Sequence, residues 1–217
     1  MLFDLRGRRR RAVQATYLTL AVLMGGGLVL FGIGGDVSGG LIDAFSGNSG
    51  GSDGNSQLEE RIDRNKERLT TSPGNEAALG ELVRDHYALA VSDQPQGTTT
   101  IPEDAKDDLR EAARYWQRYL EVEDEKPNPS LASVAVQVYD VSGLNEPKEA
   151  AKAMAIIAED RNDYETYLAL VQRAATAGDT RTADLAAQKA VDLAPKDLKK
   201  QVKKAAEQYK KPQAQQQ

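Results

Sequence analysis

Residues 164–195 read YETYLALVQRAATAGDTRTADLAAQKAVDLAP. Tyr167, Leu170 and Ala174 recur at steps of three and four, and Gly178-Asp179 breaks the pattern. Ala183, Ala187 and Ala190 then resume it, and Pro195 ends it. Apolar residues at that spacing line one face of an α-helix, while Gly-Asp and Pro are turn signals. The stretch predicts two helices, 164–177 and 180–193, folded back through a tight turn. Alanines along the second helix leave room for a close neighbour.

The same rhythm runs through the chain from Gln57 onward, and no Val/Ile-rich alternating run interrupts it. The expected fold class is therefore all-α. Further helices are expected at 57–70, 75–91, 103–122, 130–142, 147–159 and 196–210. Ser72-Pro73-Gly74, Pro127-Asn128-Pro129 and Ser142-Gly143 punctuate them. Thr100 to Glu103 has the spacing of a capping box and is expected to open the third helix. Two looser copies of the helix–turn–helix unit flank the first. Residues 130–161 offer Ala135, Tyr139, Gly143, Ala150, Met154 and Ile157. Residues 76–127 offer Leu79, Leu82 and either His86 or Tyr87, then Ala112, Trp116 and Tyr119. Helix 57–70 reads as a second helix without its first. In the last helix Leu198, Val202, Ala205 and Tyr209 form one stripe and the lysines lie elsewhere, as expected of a cap with a wet outer side; the alternative is a basic patch for an anionic surface.

The 164–195 unit resembles a tetratricopeptide repeat of 34 residues. In that family a large residue and a Leu open helix A, Gly turns the chain, small residues let helix B pack, and Pro ends it. The resemblance implies a short α-solenoid of about eight helices over 57–211, whose A helices line an inner peptide-binding groove. Carried over position by position, the groove residues are Arg84, Tyr87, Gln137, Leu168 and Gln172. They lack the Lys/Arg set that clamps an acidic C-terminal tail, so proteins or extended peptides of neutral or basic character are the expected partners.

The amino-terminal quarter differs in kind. Residues 1–11 carry five Arg, and residues 12–33 form a 22-residue run without formal charge. A helix of that length covers ~30 Å, the thickness of a bilayer core. Arginines before the run and no base after it until Arg61 place the N-terminus inside by the positive-inside rule. The expectation is a transmembrane helix at 12–33, single-pass in the cytoplasmic membrane, with the carboxy-terminal domain extracytoplasmic. The segment after Phe31 lacks the A-x-A site of a cleaved signal peptide, and the residues after the Arg run do not match a twin-arginine export signal. Ala21-x-x-x-Gly25 is a spacing through which two anchors could pack as a weak homodimer. Residues 34–56 hold eight Gly and read as a flexible linker, with a short apolar island at Leu41–Phe45. Residues 212–217 read as a disordered Gln-rich tail.

Charge and composition narrow the chemistry. The formal charge is +4 over 1–11, −3 over 12–56, −11 over 57–195 and +5 over 196–217, or −5 in all. An acidic body argues against nucleic-acid binding. There is no cysteine and one histidine, His86, which removes disulfides, thiolate metal sites, thiol nucleophiles and multi-histidine metal sites. No cofactor or metal is expected, and the acidic runs Glu103–Glu111 and Glu121–Glu125 lack calcium-loop spacing. His86 reads as a packing or surface residue. Tyr115, Trp116 and Tyr119, with Leu109, Ala112, Ala113 and Leu120, read as one buried helix face. The expectation is a non-enzymatic, membrane-tethered protein–protein interaction module. An anchor plus a small solenoid resembles bacterial tetratricopeptide proteins that accompany the Sec translocon, implying a role in folding or assembling exported and envelope proteins. The alternative is a scaffold or self-associating subunit of one membrane complex.

Overall fold

Side-chain caps at the turns set where four of the eight helices begin. A computed structural model of the chain describes residues 53–211, apart from 95–97, 99 and 124. Among these are eight helices and no strand: α1 Asp53–Thr71, α2 Glu76–Ser92, α3 Lys106–Val122, α4 Pro129–Tyr139, α5 Pro147–Arg161, α6 Tyr164–Thr176, α7 Thr180–Leu193 and α8 Lys199–Tyr209. Asn75 opens α2 by accepting from the Ala78 N–H at 2.9 Å. Asn128 opens α4 ahead of Pro129, Asp163 opens α6, and Asp179 opens α7. Each cap oxygen satisfies an N–H that the helix itself leaves unpaired. Gly178 turns α6 into α7 with φ +73, a conformation glycine adopts without penalty.

The helices pack in chain order. Each touches the next, α4 also touches α2, and α8 also touches α6. This arrangement is consistent with an α-solenoid. One step is missing: no close backbone approach occurs between α4 and α6, so α5 against α6 joins the two halves. A continuous core runs from Ile62 and Leu69 of α1 through Leu79, Leu82, Trp116, Leu131 and Tyr139 to Leu170 and Ala186. A second, smaller core of Ala190, Ala194 and Val202 seats α8, and Tyr167 and Leu168 of α6 border both.

Several boundaries differ from expectation, each for a physical reason. Helix α3 starts at Lys106, because Glu103 pairs with Lys106 at 2.7 Å and makes no return bond to Thr100. Its N-cap is Ala105, with no side-chain cap bond. Helix α4 stops at Tyr139, where the chain wraps back so that Leu144 and Glu146 N–H groups reach the Val138 and Tyr139 carbonyls. Helix α8 begins at Lys199, after a turn in which Leu198 and Lys199 both donate to the Pro195 carbonyl. Helix α1 begins at Asp53, inside the expected linker. Leu120 is 39% exposed, contrary to the expected buried face. The neighbouring Tyr119 is buried instead, its hydroxyl accepting from the Asn128 N–H at 3.0 Å. The expected anchor at 12–33, the Ala21/Gly25 contact, residues 34–52 of the linker and the tail 212–217 lie outside the described residues. Among those described, no helix is long and apolar enough to cross a membrane.

The wrap after α4 depends on Gly143. A Cβ there would collide with the Val138 carbonyl oxygen and lie 2.9 Å from that of Gln137. At Gly178 nothing lies within 4 Å of the same atom, and only the positive φ opposes a side chain. Gly143→Ala should cost roughly 3 kcal/mol, in the range of severe backbone clashes. Gly178→Ala should cost about 1 kcal/mol. Urea unfolding of the two variants checks the order; equal losses would mean that the 140–146 wrap relaxes freely.

Candidate functional site

The five groove residues fall on three helices. Arg84 and Tyr87 lie on α2, Gln137 on α4, and Leu168 and Gln172 on α6. Gln137 and Gln172 are exposed, whereas Arg84, Tyr87 and Leu168 are half-buried. Leu168 packs against both cores, so most of its surface is already committed to the fold.

What joins this region is a pair absent from the sequence reading. Arg173 of α6 makes a two-pronged contact with Asp140, just past α4, at 3.2 and 3.3 Å. The guanidinium fork matches a carboxylate in this geometry. It spans the two halves where the helix backbones do not meet. Burial alone would raise the Asp140 carboxyl, but Arg173 and the Val141 N–H hold it below the ordinary range. Tyr87 lies in the same field: burial, then Asp140, pushes its hydroxyl upward. Tyr87, Asp140 and Arg173 thus form a polar seam beside exposed Gln137.

The first helix pair holds a second unforeseen polar group. Asp85 of α2 is fully buried, and Arg61 of α1 pairs with its Oδ1. Its Oδ2 has no hydrogen-bond partner. Burial pushes the carboxyl above the ordinary range, with Arg61 opposing. The next residue, His86, is buried as well; its Nδ1 lies 2.7 Å from Asp108 Oδ1 of α3. The imidazole stacks on Tyr115, ring centroids 5.7 Å apart, and Arg114 and Arg118 lie over the same ring. So His86, rather than Tyr87, faces α3. Its Nε2 is enclosed without a partner. A nitrogen closed off in this way can exchange a proton with a ligand only after the helix pair opens. The i+22 spacing to Asp108 carries no sequence signal, which is why the pair was missed.

Two open clefts lie elsewhere. One, of about 500 Å³ between α1 and α2, is lined by Arg61, Arg64, Asn65, Arg68 and Glu81. Asn65, itself buried, donates to Glu81 at 2.8 Å and accepts from Arg68 at 3.2 Å. The other, of about 290 Å³, runs between α7 and α8, with Val191 and Ala206 among its apolar lining and Asp184, Asp192, Lys203 and Lys210 among its charged lining. None of the five groove residues lines either cleft.

Comparison with known proteins finds no matching family model, no matching curated protein and no matching solved structure.

The two carboxylates should respond in opposite senses to removal of charge. Asp140 has a depressed folded pKa, so it stabilises the fold above its unfolded value and loses that contribution as pH falls through the folded one. Asp85 has a raised folded pKa, so the fold favours its neutral form and loses stability as pH rises through that value. Asp140→Asn should therefore cost roughly 1–2 kcal/mol at neutral pH and blunt acid unfolding. Asp85→Asn should leave neutral-pH stability equal or higher. Arg61→Ala, which strands the buried carboxylate, should cost roughly 2–3 kcal/mol, more at neutral pH than in mild acid. Thermal melts across pH check all three; loss of stability in Asp85→Asn as large as in Arg61→Ala would refute the assignment.

Proposed function

We propose that this chain is a single-pass membrane-tethered protein, with a tetratricopeptide-like solenoid outside the cytoplasm that binds extended segments of other proteins. The observation that carries the reading is the register of the small residues in the packed helix pairs. Ala174, Ala183, Ala187 and Ala190, singled out by spacing alone, are all buried, and Gly178 occupies the turn between them. The apolar run at 12–33 beside five arginines supports the tether, and the Gly-rich stretch after it supports a domain free to reorient near the membrane.

On this reading the recognition surface centres on Gln137, with the Tyr87–Asp140–Arg173 seam beside it. An exposed amide next to a carboxylate, a guanidinium and a tyrosine offers donors and acceptors to a peptide backbone. The body's −11 charge favours approach of neutral or basic segments over acidic ones. The concrete form is assistance to exported or envelope proteins during folding or assembly. Among the described residues, no arrangement of nucleophile and accessible base favours an enzymatic reading over this one.

Photo-crosslinking from position 137 in native membranes tests the role. Adducts with many exported chains and translocon subunits are expected; a single stoichiometric partner, or only the protein itself, would replace the holder role with that of a dedicated scaffold. Topology is checked separately, since the chain has no cysteine. A Ser52→Cys variant should react with a membrane-impermeant maleimide in intact cells, and labelling seen only after lysis would reverse the orientation.

A further inference from the structure

Helix α8 carries its charge in an unfavourable place. Lys199, Lys200, Lys203 and Lys204 occupy its first two turns, and no acidic residue lies in the first turn. The helix also lacks a side-chain N-cap. Cations at a helix N-terminus oppose the macrodipole, and the Lys199/Lys203 and Lys200/Lys204 pairs repel at i,i+4 spacing. None of the four makes an ion pair among the described residues, whereas Lys210, at the favourable end, pairs with both Asp184 and Glu207. At 100° per residue they fill one continuous arc of about 140°. Val202 and Ala206 are buried on the flank of the helix next to Lys199, about 60° and 20° from it, which seats the helix on α6 and α7. Lys200, Lys203 and Lys204 are exposed and Lys199 is half-buried. A solubilising cap needs polar residues there; it does not need Lys199 and Lys200 in the first turn, against the dipole, with Lys203 and Lys204 of the same sign in the next.

We infer that the lysine arc of α8 is a docking surface for the anionic headgroups of a lipid bilayer. The inference rests on the proposed tether, which would keep α8 close to a membrane. The chemistry favours lipid over a macromolecular polyanion. Lysine ammonium groups are compact point charges suited to a diffuse anionic plane, whereas bidentate reading of carboxylates or phosphates uses arginine, and no arginine lies on α8. The arc is a convex helix face with no aromatic side chain among its lysines on which bases could stack. The remainder of the body is acidic and repelled by the same surface, so attraction through α8 alone would orient the domain with one end down. Contact through this end leaves Gln137, on α4, away from the docking surface and open to a partner chain.

The test uses the full-length chain in vesicles with a spin-labelled headgroup quencher and a fluorophore on a Gln201→Cys variant. Vesicles are phosphatidylcholine alone or phosphatidylcholine with phosphatidylglycerol. Quenching is expected to rise in the anionic vesicles and to vanish at high salt. Each lysine neutralised should lower the ratio of docked to undocked domains roughly fivefold. K199Q/K200Q/K203Q/K204Q should abolish the effect, while replacing all four by arginine should preserve it, which separates charge from folding. Equal quenching in both lipid mixtures would overturn the inference, as would insensitivity to the four Gln substitutions. So would failure to dock on lipid combined with salt-sensitive capture of polyglutamate or an oligonucleotide. The tether is read out independently by alkaline carbonate: a chain stripped from the vesicles has no anchor. Salt-sensitive cosedimentation of that chain with anionic but not neutral vesicles would still uphold the arc, and its absence would overturn it.

Discussion

The fold depends on how closely α7 can approach two neighbours at once. It packs against α6 on one side and α8 on the other, and the residues at those contacts are Ala183, Ala186, Ala187 and Ala190. A larger side chain at any of them would push one neighbour away, because a packed interior has no spare volume for added methylenes. The helices are short, 11 to 19 residues, and isolated helices of that length are marginal in water. Their stability comes from packing, so the close approach that alanine permits is a condition for α6 and α8 to persist. The same logic recurs at Ala150, Ala153 and Ala158 of α5, all buried.

That dependence on small residues explains how much of the architecture was readable beforehand. Alanine spacing, cap residues and Gly/Pro punctuation are local signals. They located the helices of 164–176 and 180–193 to within a residue, and the start of α5 at Pro147. Helix ends set by distant partners were not readable. Helix α4 stops at Tyr139, where residues five and seven positions later return to its last carbonyls, and α3 starts late, after a turn in which Ala105 and Lys106 donate to the Pro102 and Glu103 carbonyls. Leu120 fits the apolar stripe of α3 as well as Trp116 does. In the fold the buried place goes to Tyr119, which the Asn128 N–H reaches from a position nine residues on.

The polar interior was illegible for a similar reason. Asp85 and His86 stand next to each other on α2 and point to different helices: Asp85 to Arg61 on α1, His86 to Asp108 on α3. Adjacent residues on a helix diverge by 100°, so the two buried groups fix the helices on both sides of α2 simultaneously. A fully apolar substitute would pack without an orphaned Oδ2 or Nε2. It would also let α1 slide along α2, since Ile62 and Leu69 are the only large apolar residues of α1 that are buried. The charged pair costs desolvation and fixes register, a trade that isolated terminal helices need more than central ones do. Of the candidate site, the sequence supplied the positions on the A helices. The Asp140–Arg173 bridge that links two of those helices joins residues 33 apart and required the fold to be seen.

The bridge also bears on what the surface beside Gln137 can do. Between α2 and α4 the helices touch directly, and between α6 and α8 they touch directly; between α4 and α6 a single ion pair spans the gap. The described helices thus form two halves joined by α5 against α6 and by one salt link near the proposed recognition surface. A peptide carrying a guanidinium or ammonium group competes for Asp140, and one carrying a carboxylate competes for Arg173. Either exchange would loosen the ion pair across that gap. On the proposed reading, a bound segment would meet the same two side chains that bridge α4 and α6. An extended backbone would suit that place better than a charged side chain, because it offers donors and acceptors without displacing either member of the pair.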